Sequence, residues 1–360
     1  MISQAVIGCG YGDEGKGRVT SFLCSRRSNP LVVRFSGGQQ AGHRVVWQGK
    51  DHIFSNFGSG TLQGCHTYWS QFCTVDPVGI INELDILLGK GANPVLFIDA
   101  KCPVTTPFEK ECNKRENTIN QHGSCGVGVN ATLRREEAHY SFLAEDLLYP
   151  SVREIKLGLL QSRYGINLYD EVQAFMDYCD KLRSNERISI TEKMPYGGYD
   201  AVIFEGSQGL LLDQRFGFFP HVTPSNTGTK NIIEMGASPE VFYVIRAYHT
   251  RHGNGPLTNE NIPLEINNPH EHNISGNYQG EFRVAPLDVD LLKYAIAKDG
   301  YRSGDRKLVV TCLDSMSRFV LSIHGKLVEF KGEADFINAI TDNIGLQAFT
   351  SREPYGPIHR

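Results

Sequence analysis

The sequence feature that most constrains the fold is a glycine-rich segment near the N-terminus, residues 5–20, which reads AVIGCGYGDEGKGRVT. Its apolar start is typical of a buried β-strand, and the residues from Lys16 onward are suited to begin a helix. Five glycines, at positions 8, 10, 12, 15 and 17, allow positive φ angles and bring backbone amides close to a ligand. Lys16 and a helix N-terminus add positive potential. The segment therefore predicts a strand, a phosphate-binding loop and a helix in succession.

The loop departs at one position from the common phosphate-loop pattern G-x-x-x-x-G-K-[ST]. Gly10, Gly15 and Lys16 match it, but Gly17 stands where the hydroxyl residue that binds Mg²⁺ is expected. Another group must therefore hold any metal ion, and Asp13 is the candidate within the loop. A carboxylate there can also accept a proton from a bound substrate.

Short apolar segments recur along the chain, and several lack the alternation of a half-exposed strand. Such segments are typical of buried parallel strands, and segments with helical periodicity lie between them. We therefore predict an α/β fold with a large, mostly parallel central sheet flanked by helices, organised as one domain over residues 1–360. The predicted strands are residues 5–8, 31–35, 94–98, 201–204, 241–245, 308–311 and 319–323, and the predicted helices are residues 78–88, 138–148 and most of 150–185.

Composition and charge exclude several classes of function. The net formal charge is −4, so no global positive field favours a nucleic acid or an anionic membrane surface as partner. The nine cysteines are odd in number and form no C-x-x-C pair, which is typical of reduced thiols. The N-terminus has neither a basic region nor an apolar segment of transmembrane length. We expect a cytoplasmic protein with small-molecule ligands.

A second glycine cluster, residues 35–44 (FSGGQQAGHR), follows the second predicted strand. Ligands bind at the carboxyl ends of parallel strands, so we expect this cluster to lie beside the first loop. His43 is suited to donate to a γ-phosphoryl group or to act as a general acid. A histidine after a glycine is by itself more often a turn residue, and it is the pairing with Asp13 that favours a catalytic role.

Together, the two glycine-rich segments resemble the signature of the adenylosuccinate synthetase family. The matching residues are Gly12-Asp-Glu-Gly-Lys-Gly17 and Gly37-Gly-x-x-Ala-Gly-His43, and further matches follow in the same order to the C-terminus. The resemblance implies a C–N bond-forming ligase that joins L-aspartate to a 6-oxopurine nucleotide at the expense of a nucleoside triphosphate, with Mg²⁺ as cofactor.

Carried over position by position, the resemblance implies a set of site residues. The catalytic residues are Asp13, Lys16 and His43. The triphosphate-binding residues are Gly12, Glu14, Gly15, Lys16, Gly17, Gly42, His43, Asp314, Tyr355, Gly356 and Pro357. The residues that bind the substrate nucleotide are Asp13, Gln40, Ser124, Cys125, Arg135, Gln208, Thr223 and Arg251. The aspartate-binding residues are Gly280, Arg283 and Val284, and the metal ligands are Asp13 and Gly42.

Two of these assignments leave a question open. The planar fork of Arg283 matches a carboxylate, but residues 279–288 contain no second arginine for the other carboxylate of aspartate. Arg134 and Arg135 stand where the family has an arginine that reaches the nucleotide site of a neighbouring subunit. The resemblance therefore implies a homodimer and leaves open which of the two arginines is involved.

Three departures from the family pattern indicate one branch of the family. Cys312 replaces the lysine that packs on a guanine ring, Gln40 replaces an asparagine, and Ser124 and Cys125 replace threonines. The chain most resembles the phage branch, which condenses L-aspartate with dGMP, using ATP or dATP, to make 2-amino-2'-deoxy-N6-succinyladenylate for diaminopurine DNA, in the host cytoplasm. An enzyme that uses IMP and GTP stays open. The residues also leave open a GTPase-like nucleotide-binding switch.

Overall fold

The computed structural model describes residues 1–120, 126–269, 271, 280–352 and 358–359. The strands are β1 (Ile2–Gly8), β2 (Pro30–Arg34), β3 (His43–Trp47), β4 (Lys50–Phe54), β5 (His66–Trp69), β6 (Leu96–Asp99), β7 (Ile188–Thr191), β8 (Ala201–Gly209), β9 (Glu240–Arg246), β10 (Tyr248–His252), β11 (Phe282–Asp288), β12 (Arg306–Thr311), β13 (Phe319–Ile323), β14 (Lys326–Phe330) and β15 (Gln347–Thr350). The α-helices are α1 (Lys16–Ser25), α2 (Pro77–Gly89), α3 (Pro107–Asn120), α4 (Val129–Glu137), α5 (Pro150–Tyr164), α6 (Tyr169–Ser184), α7 (Lys230–Glu234), α8 (Val289–Asp299) and α9 (Glu333–Ile344).

A nine-stranded parallel sheet forms the centre of the described part of the chain, in the order β15-β12-β9-β1-β8-β2-β5-β6-β7. Val6, Val32 and Ile203 point from its central strands to one apolar cluster that includes α1, and the alternating residues Ala5 and Ile7 point to the larger cluster on the other face. Both faces are thus covered, which explains why these strands are apolar without alternation. The predicted α/β fold and all seven predicted strands are confirmed.

The helix predictions are confirmed except for one. Residues 78–88 lie in α2, which begins at Pro77. Asp76 caps this helix, because its side chain accepts a hydrogen bond from the amide of Val78. The long helical segment is divided into α5 and α6. The helix predicted over residues 138–148 is wrong, because residues 142–144 instead exchange backbone hydrogen bonds with residues 102–104. The apolar residues there belong to an extended segment, and only residues 144–148 form a short 3₁₀ turn.

The two glycine-rich segments are not on adjacent strands, contrary to the simplest expectation. The segment after β1 and the segment after β2 are separated by β8, which pairs in parallel with both strands. A four-stranded sheet, β10-β11-β13-β14, lies beside the central sheet within the described ranges, and only Ala247 separates β9 from β10. The carboxyl ends of β1, β8, β2 and β9 therefore converge around the first loop.

Two smaller expectations concern cysteines and membranes. The eight cysteines within the described ranges are free thiols, and six of them are buried. None of the helices formed by the described residues combines the length and the apolar composition needed to cross a bilayer.

Candidate active site

The first loop is organised internally by Glu14. Its Oε1 accepts hydrogen bonds from the amides of Gly10 (3.0 Å) and Gly12 (2.9 Å), and its Oε2 lies 2.6 Å from Nζ of Lys16. A Cβ at Gly8 would lie 2.2 Å from Oε2 of Glu14, so the buried carboxylate requires a glycine there. Two loop amides and the lysine thus bind the buried carboxylate of Glu14. The side chain of Glu14 is buried, and its part in binding a triphosphate stays a prediction.

Asp13 is held in an uncommon backbone conformation, with φ of 61°. Its carbonyl oxygen accepts a 2.5 Å hydrogen bond from Nε of Arg246, and its Oδ2 lies 3.3 Å from Nε2 of His252. Burial alone would raise the pKa of Asp13, but the hydrogen bond with His252 and the positive charges of Arg246 and Lys16 outweigh burial and lower it. Asp13 is therefore ionised at neutral pH, as a general base must be.

His43 begins β3 and lies against the start of α1, where a Cβ at Gly17 would approach Cβ of His43 within 2.6 Å. Its Nδ1 is 2.7 Å from Oε1 of Glu205, and its buried Nε2 has no partner among the described residues. Burial lowers the pKa of His43, and the nearby Glu205 carboxylate offsets this only in part. The ring is thus neutral at neutral pH, with a proton on Nδ1 and a bare Nε2. It donates to a phosphoryl oxygen only after binding a second proton, which an arriving phosphate favours.

The structure reveals that Glu205 orients His43, a role that the sequence analysis missed. Glu205 lies in β8, is fully buried, and accepts hydrogen bonds from the amide of Ser59 (3.1 Å) and from its hydroxyl. Arg34, also fully buried, is its register neighbour on β2. Burial would raise the pKa of Glu205, but His43, Arg34 and Ser59 together lower it to about 2. A charged residue within the apolar strand segment AVIFEG was the signal that could have indicated this role.

Lys16 connects the two predicted catalytic groups. Its positive charge lowers the pKa of Asp13 and also that of His43, so its ammonium lies within electrostatic range of both. Thr311, at the end of β12, donates a 2.8 Å hydrogen bond to the carbonyl of Glu14. This contact places the turn with Asp314, which follows β12, beside the loop. The first loop, the second glycine cluster and the β12 turn thus meet, as the sequence predicted for the first two.

Several of the residues predicted to bind the substrate nucleotide lie near the two glycine-rich segments. Gln208 places Oε1 3.4 Å from where a Cβ of Gly12 would lie, and Gln40 keeps its buried Oε1 without a partner within the described ranges. The guanidinium of Arg251 packs 4.1 Å from the ring centroid of Tyr11 and donates to main-chain carbonyls at positions 221 and 256. Arg251 therefore anchors the segment that contains Thr223 to the loop. Gly42 closes the second cluster, one residue before β3.

Arg135 does not occupy the position predicted for it. Its guanidinium is fully buried, lies 3.1 Å from Oε2 of Glu109 and donates to the carbonyl of Val104. These contacts join α3 and α4 within one chain and keep the guanidinium of Arg135 away from solvent. Arg134, whose side chain is 50% exposed and pairs with Glu116, is the arginine of this helix that faces outward.

The predicted aspartate-binding residues lie on and just before β11. Gly280 packs on Gly253, and Val284 pairs with Thr250 across the β10–β11 ladder. Arg283 donates to the carbonyls of Gly253 and Gly255 and pairs with Glu260, while its Nε has no partner among the described residues. A carboxylate would thus meet a guanidinium whose two terminal nitrogens already have partners. The other predicted residues Ser124, Cys125, Tyr355, Gly356 and Pro357 lie outside the described residues.

Two known proteins illustrate the sequence similarity. The adenylosuccinate synthetase of Thermoplasma volcanium is 31% identical, over 82% of this chain and 73% of its own length. That of Picrophilus torridus is 29% identical, over 94% of this chain and 80% of its own length.

The fold is shared with solved structures. A fully ligated adenylosuccinate synthetase from Plasmodium falciparum superposes with a TM-score of 0.80 and 19% identity, covering 98% of this chain and 97% of its own. The cyanophage S-2L succinoaminodeoxyadenylate synthetase (PurZ), bound to dGMP and dATP, superposes with a TM-score of 0.65 and 15% identity. That superposition covers 98% of this chain and 93% of the cyanophage chain. The family model for adenylosuccinate synthetase matches residues 5–323. The chain therefore belongs to the adenylosuccinate synthetase family of C–N ligases.

Proposed function

We propose that this protein condenses L-aspartate with dGMP, with ATP or dATP as phosphate donor, to form 2-amino-2'-deoxy-N6-succinyladenylate in the cytoplasm of a phage-infected host. The observation that carries the proposal is that the loop with Asp13 and Lys16 lies against His43, since a Cβ at Gly17 would approach Cβ of His43 within 2.6 Å. These groups are a base for a purine N1–H, a histidine that binds the transferred phosphate once it takes up a second proton, and a positive charge on Lys16.

Each residue has a defined part in the proposed reaction. Asp13 takes the proton from N1, which makes O6 of the purine nucleophilic. O6 then bonds to the γ-phosphorus, whose bond to the β,γ-bridging oxygen breaks, and His43 and Lys16 stabilise the charge that spreads over the phosphoryl oxygens. The α-amine of aspartate next attacks C6, and the C6–O6 bond breaks to release inorganic phosphate. Arg283 is the proposed ligand of the aspartate carboxylate.

Mg²⁺ fits the donor set that the loop offers. Magnesium prefers oxygen ligands and is commonly held by one or two carboxylates together with substrate phosphates. The carboxylate of Asp13 is ionised and 29% exposed, and the carbonyl of Gly42 lies in the adjacent cluster. When bound, the ion neutralises charge on the triphosphate.

The choice of dGMP and ATP is supported by residues rather than by overall similarity. Cys312, at φ of 57° in the turn after β12, presents a side chain too short to cover a guanine ring as a lysine does. Gln40 holds a buried oxygen without a partner within the described ranges, and such an acceptor suits a base with an exocyclic amine, which guanine has and hypoxanthine lacks.

A second candidate is an enzyme that uses IMP and GTP. It is favoured by the 31% identity to a protein named adenylosuccinate synthetase, and by the higher TM-score with the Plasmodium falciparum enzyme than with the phage enzyme. The proposed chemistry of Asp13 and His43 is the same in both cases, because hypoxanthine and guanine both carry N1–H.

A phosphate-release assay distinguishes these functions. Purified protein with Mg²⁺ is given dGMP or IMP, each with ATP or GTP, in the presence and absence of L-aspartate. We expect release with dGMP, ATP and aspartate together. Release with IMP and GTP instead supports the second candidate, whereas triphosphate hydrolysis that needs neither aspartate nor purine monophosphate identifies a nucleotide-binding switch and refutes the ligase.

The proposal includes a homodimer in which Arg134 of one subunit approaches the nucleotide of the other. Exposed, outward-facing Arg134 is compatible with this arrangement, whereas buried Arg135 is not. Sedimentation of the wild-type protein should give twice the monomer mass. Arg134→Ala should raise KM for the purine nucleotide, and an unchanged KM refutes this role.

A further inference from the structure

His252 contacts the proposed base, although the sequence analysis assigned it no role. It is the last residue of β10, and its Nε2 lies 3.3 Å from Oδ2 of Asp13. The ring faces Phe282 on β11, its register partner, with centroids 5.1 Å apart at 49°. Packing against Phe282 and pairing between the strands thus fix the direction in which Nε2 points.

β9 and β10 also hold the backbone of the loop that carries the base. Nε of Arg246, at the end of β9, donates to the carbonyl of Asp13, and Oγ1 of Thr250 lies 3.5 Å from the carbonyl of Gly12. The left-handed conformation of Asp13 is therefore stabilised from β9 and β10. His252 adds the contact to the carboxylate, so the carbonyl of Asp13 is held from β9 and its carboxylate from β10.

The second ring nitrogen supports a donor role for Nε2. Nδ1 of His252 is buried and has no hydrogen-bond partner within the described part of the chain. The carboxylate of Asp13 is the acceptor within reach of Nε2, so Nε2 is the ring nitrogen placed to donate to Oδ2.

We propose that His252 is a positioning residue for Asp13: its Nε2–H holds Oδ2 and leaves Oδ1 as the oxygen that receives the purine N1 proton. The inference rests on the proposed function of Asp13 as the base. His252 is not among the residues to which the family resemblance assigns a role. A rotating carboxylate would present N1 with either oxygen and at varying angles, whereas a held carboxylate needs no reorganisation when the purine binds.

Two substitutions separate hydrogen bonding from packing. His252→Leu keeps an apolar side chain against Phe282 but removes the donor, and we expect kcat to fall roughly 10- to 100-fold with KM for the purine nucleotide within about 2-fold. His252→Gln keeps an N–H donor and should recover most of the loss. Equal kcat in wild type and His252→Leu overturns the proposal, as does an equal loss in both variants.

His66 provides a matched control. Its ring bonds to the hydroxyl of Tyr199 (2.7 Å), and its centroid lies 6.1 Å from that of Phe97. His66 begins β5 and therefore lies at the amino ends of the parallel strands, whereas the loops follow their carboxyl ends. His66→Leu and His66→Gln should leave kcat unchanged. A loss in His66→Leu as large as that in His252→Leu would show a general effect on stability and overturn the positioning role.

A measurement that needs no turnover separates this inference from the proposed function. Ring ¹⁵N NMR of wild-type protein should show the Nε2–H tautomer for His252, and Asp13→Ala should shift that Nε2 resonance. Absence of aspartate-dependent phosphate release in wild-type protein refutes the proposed function, whereas an Nε2 resonance that Asp13→Ala leaves unchanged refutes the contact. The NMR test also stands if His252→Leu fails to fold.

Discussion

Replacing Glu205 by glutamine tests whether the buried carboxylate orients the phosphate-binding histidine. The substitution keeps the shape of the side chain and removes its negative charge. Nδ1 of His43, 2.7 Å away, then faces either an amide oxygen or an amide nitrogen, and the latter forces the proton onto the other ring nitrogen. The charge of buried Arg34 also loses its neighbouring carboxylate.

The expected magnitude follows from these contacts. A hydrogen bond to a charged group contributes about 1.5–3 kcal/mol, which corresponds to a fall in kcat of roughly 10- to 100-fold if it orients the ring in the transition state. Leaving a buried hydrogen-bond donor without its acceptor destabilises a protein by about 1–3 kcal/mol, and we expect the lower end because glutamine retains a hydrogen bond. Steady-state phosphate release and urea unfolding measure the two effects separately.

Glu83 is the matched control for this experiment. It is also buried beside a histidine, His52, at 3.2 Å, and accepts a hydrogen bond from the amide of Asn56, but it lies on α2, away from the loops. Glu83→Gln should reduce the free energy of unfolding by a similar amount and leave kcat of the folded protein unchanged. If both variants retain wild-type kcat, or if both lose it equally, the reasoning about Glu205 is refuted.

Three further predictions concern the loop and its surroundings. Asp13→Ala should abolish turnover and largely preserve nucleotide binding measured by calorimetry; retention of a tenth of the wild-type rate or more would exclude Asp13 as the base. Gly17→Ala places a Cβ 2.6 Å from Cβ of His43 and should destabilise the fold by about 1–3 kcal/mol while lowering kcat, which unfolding curves and rates will check. Burial lowers the pKa of His249 to about 4, so the unfolded chain binds a proton that the folded chain excludes, and stability should fall as pH drops from about 6.5 towards 4. His249→Gln should flatten that pH dependence of the free energy of unfolding; an unchanged slope would contradict it.

Local sequence was sufficient for the main elements of the fold. Apolar segments correctly predicted six strands of the central sheet and β13 of the four-stranded sheet, because a strand covered on both faces has apolar residues in succession whatever its neighbours are. The glycine-rich segment correctly predicted the strand, loop and start of α1, since few other residues tolerate the φ angles of 97° at Gly12 and 91° at Gly15. The single-domain organisation over residues 1–360 stays a prediction.

Local sequence was insufficient wherever a contact with a residue distant in sequence fixes the conformation. The helix predicted over residues 138–148 is wrong, because residues 102–104 bond to this segment from far along the chain. Arg135 is likewise bound from a distance, by the carbonyl of Val104, which the choice left open between Arg134 and Arg135 did not anticipate. A helical period describes which residues are apolar but does not exclude an extended segment with the same buried positions.

The identities and spacing of Asp13, Lys16 and His43 were therefore determined by the sequence itself, together with the strands that end beside them. Only the tertiary structure decided that β8 enters between β1 and β2, which brings Glu205 to His43 across 162 positions of sequence, and that β10 places His252 against Asp13. The physical reason is that backbone conformation responds to near neighbours, whereas the orientation and charge of a catalytic side chain depend on partners that only the completed sheet brings within hydrogen-bonding distance.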